Sequence, residues 1–440
     1  MMTGGLLLAS ISRRQLHVIS KSKCIVKPAS PTPPKLKQYN LSSQDRMIRN
    51  LYMPIILFYP PQQLANTTLS KISSTLKSSL SQTLSIYYPF AGRLRSGSYI
   101  HCNDEGVDFI EARIGSPFSE ALEKEAEKSE AGLGHLFRHE SIWDEVSGED
   151  PSLLLVQLNY FTGGGMAVAV SLSHRIGDAC TLCTFITYWA HLTRHSGDHE
   201  KIGHLSPHFS QMPPYCEGDS VIPVSSLPKK FWITKEIVFR NSMIRNLKAK
   251  IGSSCQEKYT RNELVTALLY RSVVTVLAKQ DSGVFATTVL AQAVNVRSIV
   301  DPPLPLSSVG NWFTINHIPT STQSELMLNS LVERMRKGKM KIKGMKSLDG
   351  NEVMPILTDY RNRNCRVISF TSMCNFPIYD VMDFGWGKPA KVTIVDTPFV
   401  DCIVMMDTPS GDGIKAIVSL EEEAMGHFLG DTELLTCAPF

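Results

Sequence analysis

His174 and Asp178 stand four residues apart in the run Ser173-His174-Arg175-Ile176-Gly177-Asp178-Ala179. Histidine has an ordinary pKa of about 6.5, so a neutral imidazole can take a proton at cellular pH. A hydroxyl holds its proton far more tightly. It attacks a thioester poorly unless a base removes that proton as the new bond forms. H-x-x-x-D alone is a weak signal, because a hydrogen-bonded core histidine and a helix-capping aspartate give the same letters. A second chemically suggestive run, Asp383-Phe384-Gly385-Trp386-Gly387-Lys388-Pro389, lies in the other half of the chain.

The elements around His174 follow from periodicity. Leu153 to Phe161 reads as a strand, Gly163-Gly164-Gly165 as a turn and Met166 to His174 as the return strand. In that return strand Val168, Val170, Leu172 and His174 share one face. After Asp178 the apolar positions become Leu182, Phe185, Ile186 and Trp189, which is helical spacing. The motif therefore sits at a strand-to-helix junction, where polar groups can point into a cavity. Further elements are a buried strand at Ile55–Tyr59, a helix from Leu69 to Leu84, strands at Phe231–Arg240 and Val289–Val296, and a helix at Asn262–Leu277. The proline-dense 27–34 segment must be extended.

From Gly197 to Pro228 the chain turns rich in His, Pro, Ser and Gly, which reads as a crossover between domains. This divides 440 residues into an N-terminal domain over 1–199, a linker over 200–228 and a C-terminal domain over 229–440. The expected fold class is α/β, with two similar-sized domains, each a mixed sheet with flanking helices. No tandem repeat at solenoid periods is present.

Composition excludes several classes. A net charge of +4, from 45 basic and 41 acidic residues, gives no nucleic-acid signature. The basic run Arg334, Arg336, Lys337, Lys339, Lys341, Lys343 and Lys346 has no interleaved aromatics and reads as a solvated helix end. Ten scattered cysteines read as reduced thiols, and Cys180 and Cys183, though spaced C-x-x-C, fall on a helix as buried thiols. The apolar stretch near Met1 is too short for a secretory signal, and no run is long enough to span a membrane. A cytoplasmic monomer is the expectation. His191, His195 and His199 have the spacing of a helical zinc site, but Gly197 breaks the helix before His199, so no metal is expected. Neither G-x-S-x-G nor a phosphate-binding G-x-x-x-x-G-K-[ST] occurs.

Taken together, 173–179 and 383–389 resemble the paired signatures of the plant BAHD family of acyl-CoA-dependent acyltransferases. Val26–Pro33, Tyr88–Leu94, Ala293–Arg297, Asp301–Pro305, Gly310-Asn311 and Gly411–Ile414 resemble the same family. The likeness runs from about Leu16 to the end, and its opening resembles the branch that acylates alkaloids and terpenoids. The resemblance implies two chloramphenicol-acetyltransferase-like domains with a channel between them. His174 is then the general base, the acceptor enters from one side and coenzyme A from the other, and transfer is direct, without an acyl-enzyme. It implies that Asp178 pairs with Arg297 to support the base, and that Asp383, Gly385 and Trp386 are mainly architectural, with Asp383 also a candidate catalytic group.

The implied co-substrate is acyl-CoA, acetyl-CoA first, with no permanently bound cofactor, and no residue is assigned to holding it. The implied reaction is O-acylation of an alkaloid or terpenoid hydroxyl. N-acylation of an amine and a non-catalytic metal- or ligand-binding relative are the alternatives. Thr371 and Met373 fall where the family has a Thr/Ser-Ser-Trp pocket segment, and Asn375 stands where an arginine is expected. Condensation enzymes, which share H-x-x-x-D, usually place a second His before it and a Gly after. Here the neighbours are Ser173 and Ala179, which favours a coenzyme A donor over a carrier protein.

Overall fold

The structure, a computed structural model, describes residues 16–123, 133–137, 151–195, 200–210, 232–251, 259–280, 285–344, 353–395, 397 and 400–437. His199, Lys346, the Met1 stretch and most of the 200–228 crossover lie outside these residues.

The first half contributes β1 (Val18–Val26), β2 (Gln38–Asn40), β3 (Tyr52–Tyr59), β4 (Arg93–Arg95), β5 (Tyr99–His101), β6 (Val107–Pro117), β7 (Leu154–Thr162) and β8 (Met166–Ser173). The second half contributes β9 (Trp232–Arg240), β10 (Thr288–Asn295), β11 (Phe313–Thr320), β12 (Arg366–Ser372), β13 (Lys391–Thr393), β14 (Cys402–Asp407) and β15 (Gly413–Glu421). They form two six-stranded sheets, ordered β1-β6-β7-β8-β3-β13 and β11-β10-β12-β14-β15-β9, and a small sheet of β2, β5 and β4. Both large sheets are mixed: β6 and β7 run parallel beside antiparallel neighbours, as do β10, β12 and β14.

Strand composition explains these places. In β3, Ile55, Leu57 and Tyr59 face one core while Ile56 and Phe58 face another, so both sides are apolar and the strand sits inside its sheet. In β8, Val168, Val170 and Leu172 point to the core that also holds Phe185 and Trp189 of the Ala179–Arg194 helix. Trp189 Nε1 donates to Leu76 O at 3.3 Å and Ser79 Oγ at 3.0 Å, which seats that helix on the Leu69–Ile86 helix. The return strand ends at Ser173, one residue earlier than periodicity suggests. His174 leaves the sheet ladder, and its N–H donates instead to Leu51 O at 2.7 Å.

Cutting the chain at the crossover does not convey one feature. β13, from the second half, pairs with β3 at the edge of the first sheet. Thr393 Oγ1 donates to the Glu236 carboxylate on β9, and Lys415 Nζ on β15 donates to Val392 O at 2.7 Å. These bonds tie the exchanged strand back to the second sheet. Met373, Met382, Phe384, Val404, Met406 and Ile417 of the second half belong to the first half's core. The two halves therefore share apolar packing, and groups from both can be held rigidly at their junction.

On the Leu328–Lys343 helix, the basic run is partly neutralised. Arg336 lies 2.8 Å from Glu263, and Arg334 lies 3.4 Å from Glu325. Cys180 and Cys183 are buried free thiols, as the helical placement implies, and burial pushes the Cys180 pKa up to about 11. Among the described residues no helix is long and apolar enough to cross a membrane.

Candidate active site

The turn between β8 and the Ala179–Arg194 helix needs a small residue. A Cβ at Gly177 would lie 2.5 Å from the Thr181 side chain, so the chain can fold onto the helix start only with glycine there. Asp178 then caps the helix, its Oδ1 accepting from Thr181 N at 2.9 Å.

The same carboxylate is gripped by Arg297, which is fully buried. Nη1 donates to Asp178 Oδ2 at 2.8 Å and Nη2 to Oδ1 at 3.0 Å, a bidentate pair across the two halves. The rest of the guanidinium is also satisfied, with Nε donating to Ser308 O at 3.1 Å and Nη2 to Gly310 O at 3.1 Å. Trp312 N donates to Asp178 Oδ2 at 3.1 Å. Capping and ion pairing are thus one structure, built on both oxygens of Asp178. A buried pair of this kind is costly to break, about 3–5 kcal/mol when one partner is removed.

His174 itself is partly buried. Its Nδ1 lies 3.0 Å from Asn311 Oδ1, and its ring centre is 6.5 Å from that of Phe313. The Asn311 amide is oriented by its own donors: Nδ2 reaches Asp45 Oδ1 at 2.8 Å and His174 O at 2.8 Å. Both targets only accept, so Oδ1 must be the atom facing the ring. An acceptor there requires Nδ1 to carry the hydrogen, which leaves the lone pair on Nε2. Burial lowers the pKa of His174 below its ordinary value, with the Asn311 bond and the Asp178 and Asp45 charges acting against that shift. The ring is neutral at pH 7 and able to accept a proton at Nε2.

Asp383 is placed elsewhere. Its Oδ1 accepts from Gly385 N at 2.8 Å and Gly387 N at 2.9 Å, and its Oδ2 lies 3.8 Å from Arg194 Nη1. Gly385 and Gly387 adopt φ of +110° and +115°, conformations that glycine alone takes freely. Phe384 packs edge-on against Trp189 at 4.8 Å and stacks with Trp386 at 5.6 Å, and Tyr59 Oη donates to Met382 O at 2.7 Å. The loop therefore plugs the C-terminal end of the 16-residue helix whose N-terminal end is Asp178, a span of about 24 Å at 1.5 Å per residue. Its carboxylate holds two glycine N–H groups beside Arg194, at the opposite end of that helix from Asp178. Trp386 packs edge-on against Tyr59 at 5.9 Å, and Gly385 lies beside Arg194.

Thr371 and Met373 fall on the face of β12 and its extension that turns toward the first half. Met373 is 4% exposed and sits in the shared core. By strand alternation Ser372 and Cys374 face the other way, and with Asn375 they line a cleft of about 440 Å³. Thr371 and Met373 are absent from that lining, and Asn375 is its nearest counterpart to the sequence expectation. The cleft is also lined by Arg261, Asn262, Glu263, Gln292, Asn295 and Lys339. Asn295 Oδ1 accepts from Arg297 N at 3.0 Å, so one wall of the cleft adjoins the Arg297–Asp178 pair.

For the histidine series, the His191 and His195 rings lie 6.2 Å apart and Arg194 lies 3.4 Å from His191 Nδ1. No group of three metal-ligating side chains occurs among the described residues. Sequence reasoning assigned no role to Asp45 or Asn311, which complete the surroundings of His174. Only the Gly310-Asn311 dipeptide hinted at the second.

Two mixed sheets that share a core and hold an oriented, neutral imidazole where they meet make an acyltransferase architecture. Residues 16–435 match the family model described as Transferase family, and the chain belongs to this family, the BAHD acyl-CoA-dependent acyltransferases. It is 39% identical to akuammiline synthase 1 of Alstonia scholaris, covering 95% of this chain and 97% of the relative. It is 34% identical to 17,18-epoxy-17-hydroxycur-19-ene N-malonyltransferase of Strychnos nux-vomica, over 96% and 90% of the two chains. Stemmadenine O-acetyltransferase of Catharanthus roseus is 32% identical over 95% and 97%. The crystal structure of vinorine synthase superposes with a TM-score of 0.82 at 30% identity, over 96% of this chain and 98% of that one.

Proposed function

We propose that the protein transfers an acyl group, acetyl first, from acyl-CoA to a hydroxyl of an alkaloid, with His174 as general base. One observation carries the reading: Asn311 accepts from Nδ1, so the imidazole offers Nε2. The acceptor O–H proton passes to Nε2 while the oxygen attacks the thioester carbonyl. The tetrahedral intermediate then expels the coenzyme A thiolate, which takes the proton back from Nε2. The products are an ester and free coenzyme A, and no enzyme atom is acylated.

The 440 Å³ cleft suits the donor. The N-terminus of the Arg261–Gln280 helix opens on it, and Lys339 and Arg261, the latter paired with Asp407 at 3.3 Å, stand there to meet phosphate groups alongside Glu263. Gln292 is 3% exposed with Oε1 unpartnered, a ready acceptor for an amide N–H on an incoming chain. We assign the acceptor to the opposite side, along the face that carries Thr371 and Met373. Acetyl and a hydroxyl acceptor are supported by the O-acetyltransferase relative, and free thiols throughout the described chain suit a cytoplasmic enzyme.

The N-malonyltransferase relative favours a second reading, acylation of an amine. The test is incubation with acetyl-CoA or malonyl-CoA and a panel of hydroxylated alkaloids and secondary amines, read by mass spectrometry. The proposal expects one added acetyl on an oxygen, labile to mild base. Base-stable products formed only from amines would replace it with the second reading.

A further inference from the structure

Asp45 lies in the short Ser43–Met47 helix, far in sequence from either signature. Its carboxylate is buried, with 4% of the residue exposed, and every contact it makes is with a donor. Oδ2 accepts from Ser42 N at 3.0 Å and from Ser42 Oγ at 2.7 Å. Oδ1 accepts from Asn311 N at 3.0 Å and from Asn311 Nδ2 at 2.8 Å. Because Ser42 Oγ itself accepts from Asp45 N at 3.1 Å, its hydrogen is committed to the carboxylate. Burial raises the Asp45 pKa above its ordinary value, and these four bonds act against that rise. Four donors converging on the two oxygens favour the carboxylate form.

An ionised side chain this deep is expensive unless it is used or fully satisfied. A capping box needs only the Ser42 contacts, and Oδ1 is left over for Asn311. Asp45 therefore sits behind Asn311 as Asn311 sits behind His174, in a chain running from carboxylate to amide to imidazole. Were the Asn311 amide to rotate, its oxygen would face the Asp45 carboxylate and its NH₂ would face Nδ1. The hydrogen would then move to Nε2 and the base would be lost.

We propose that Asp45 is a positioning residue for His174: through Asn311 it holds the ring as the Nδ1–H tautomer, and its charge stabilises the imidazolium formed when Nε2 takes the acceptor's proton. The inference rests on His174 being the base. Asp45 exchanges no proton and touches no substrate. Among the described residues, the other charged or titratable groups acting on this chain include Asp178, whose charge also favours the imidazolium, its partner Arg297, and Tyr39, whose hydroxyl burial and the Asp45 charge keep protonated.

The experiment compares the full-length protein with Asp45→Asn and Ser42→Ala. In Asp45→Asn, kcat falls at least about tenfold while KM for both substrates stays near the parent's. The acid limb of kcat/KM moves to lower pH, because imidazolium has lost a nearby anion. Ser42→Ala lowers the melting temperature by removing a cap yet leaves the acid limb in place. A folded Asp45→Asn with the parent's kcat and acid limb overturns the proposal, as does Ser42→Ala shifting the limb equally.

If Asp45→Asn does not fold, ¹⁵N-histidine NMR of the unaltered protein decides, with His174→Ala supplying the assignment. An Nδ1–H ring supports the chain, and an Nε2–H ring refutes it. Failure of the base reading looks different: His174→Ala would then remain active.

Discussion

The two ends of the Ala179–Arg194 helix are built in opposite ways. At its N-terminal end, Asp178, Arg297, His174 and Asn311 form a polar cluster drawn from both halves, with nearly every donor matched to an acceptor. At its C-terminal end, Phe384 and Trp386 pack against Trp189 and Tyr59, and Asp383 folds its own loop. Both ends carry a recognisable motif with an aspartate. Only the N-terminal end holds an imidazole oriented by a side-chain amide from the other half. The comparison teaches that a motif's acid need not be chemical: Asp178 and Asp383 both spend their oxygens on holding structure, and the proposed reaction falls to the imidazole nitrogen of His174.

Substitutions at the two ends should separate. The largest effect is expected for His174→Ala, which should lose turnover by about 10²–10⁴-fold or more while keeping the parent's melting curve. Steady-state rates and calorimetry on the same preparation check this, and near-parental turnover would leave the N-terminal end without its distinguishing feature. Arg297→Ala should cost about 3–5 kcal/mol of stability by stranding a buried carboxylate, and turnover should fall with it. Denaturant unfolding measures the first, and a parental midpoint would mean that the pair is not what joins the halves here.

Asp383→Ala should lose about 1–3 kcal/mol, because two glycine N–H groups lose a charged acceptor. Its turnover well below the melting range should stay close to the parent's, and a His174-sized loss of rate would erase the contrast. The smallest effect is expected for Met373→Trp. A bulkier ring in a filled core costs about 1–3 kcal/mol, with acceptor preference changing more than donor preference. An unchanged acceptor panel would place Met373 outside the acceptor side.

Much of this was legible in the letters. Alternation in β8 and helical spacing after Asp178 locate the strand-to-helix junction to within a residue, because both faces are strongly patterned. The Asp178–Arg297 pair follows from the family likeness alone, since nothing in spacing brings residues 119 positions apart together. What stayed hidden depends on tertiary exchange. β13 is three residues long and carries no pattern that tells which sheet it will join. Asp45 carries no signal in the letters, and only the approach of Asn311 from the other half makes it part of the site. The partners of Asp383, the N–H groups of its own loop, depend on backbone turns at Gly385 and Gly387 that the letters do not specify.

The pH dependence of acyl transfer tests the central claim most directly. Burial depresses the pKa of His174, so activity should be full at neutral pH and fall only as pH drops through a value below 6.5. An acid limb in kcat/KM below 6.5, missing from whatever residual rate His174→Ala retains, is the predicted result. A limb above 6.5, or one that persists unchanged in that variant, would contradict a neutral, oriented imidazole as the base.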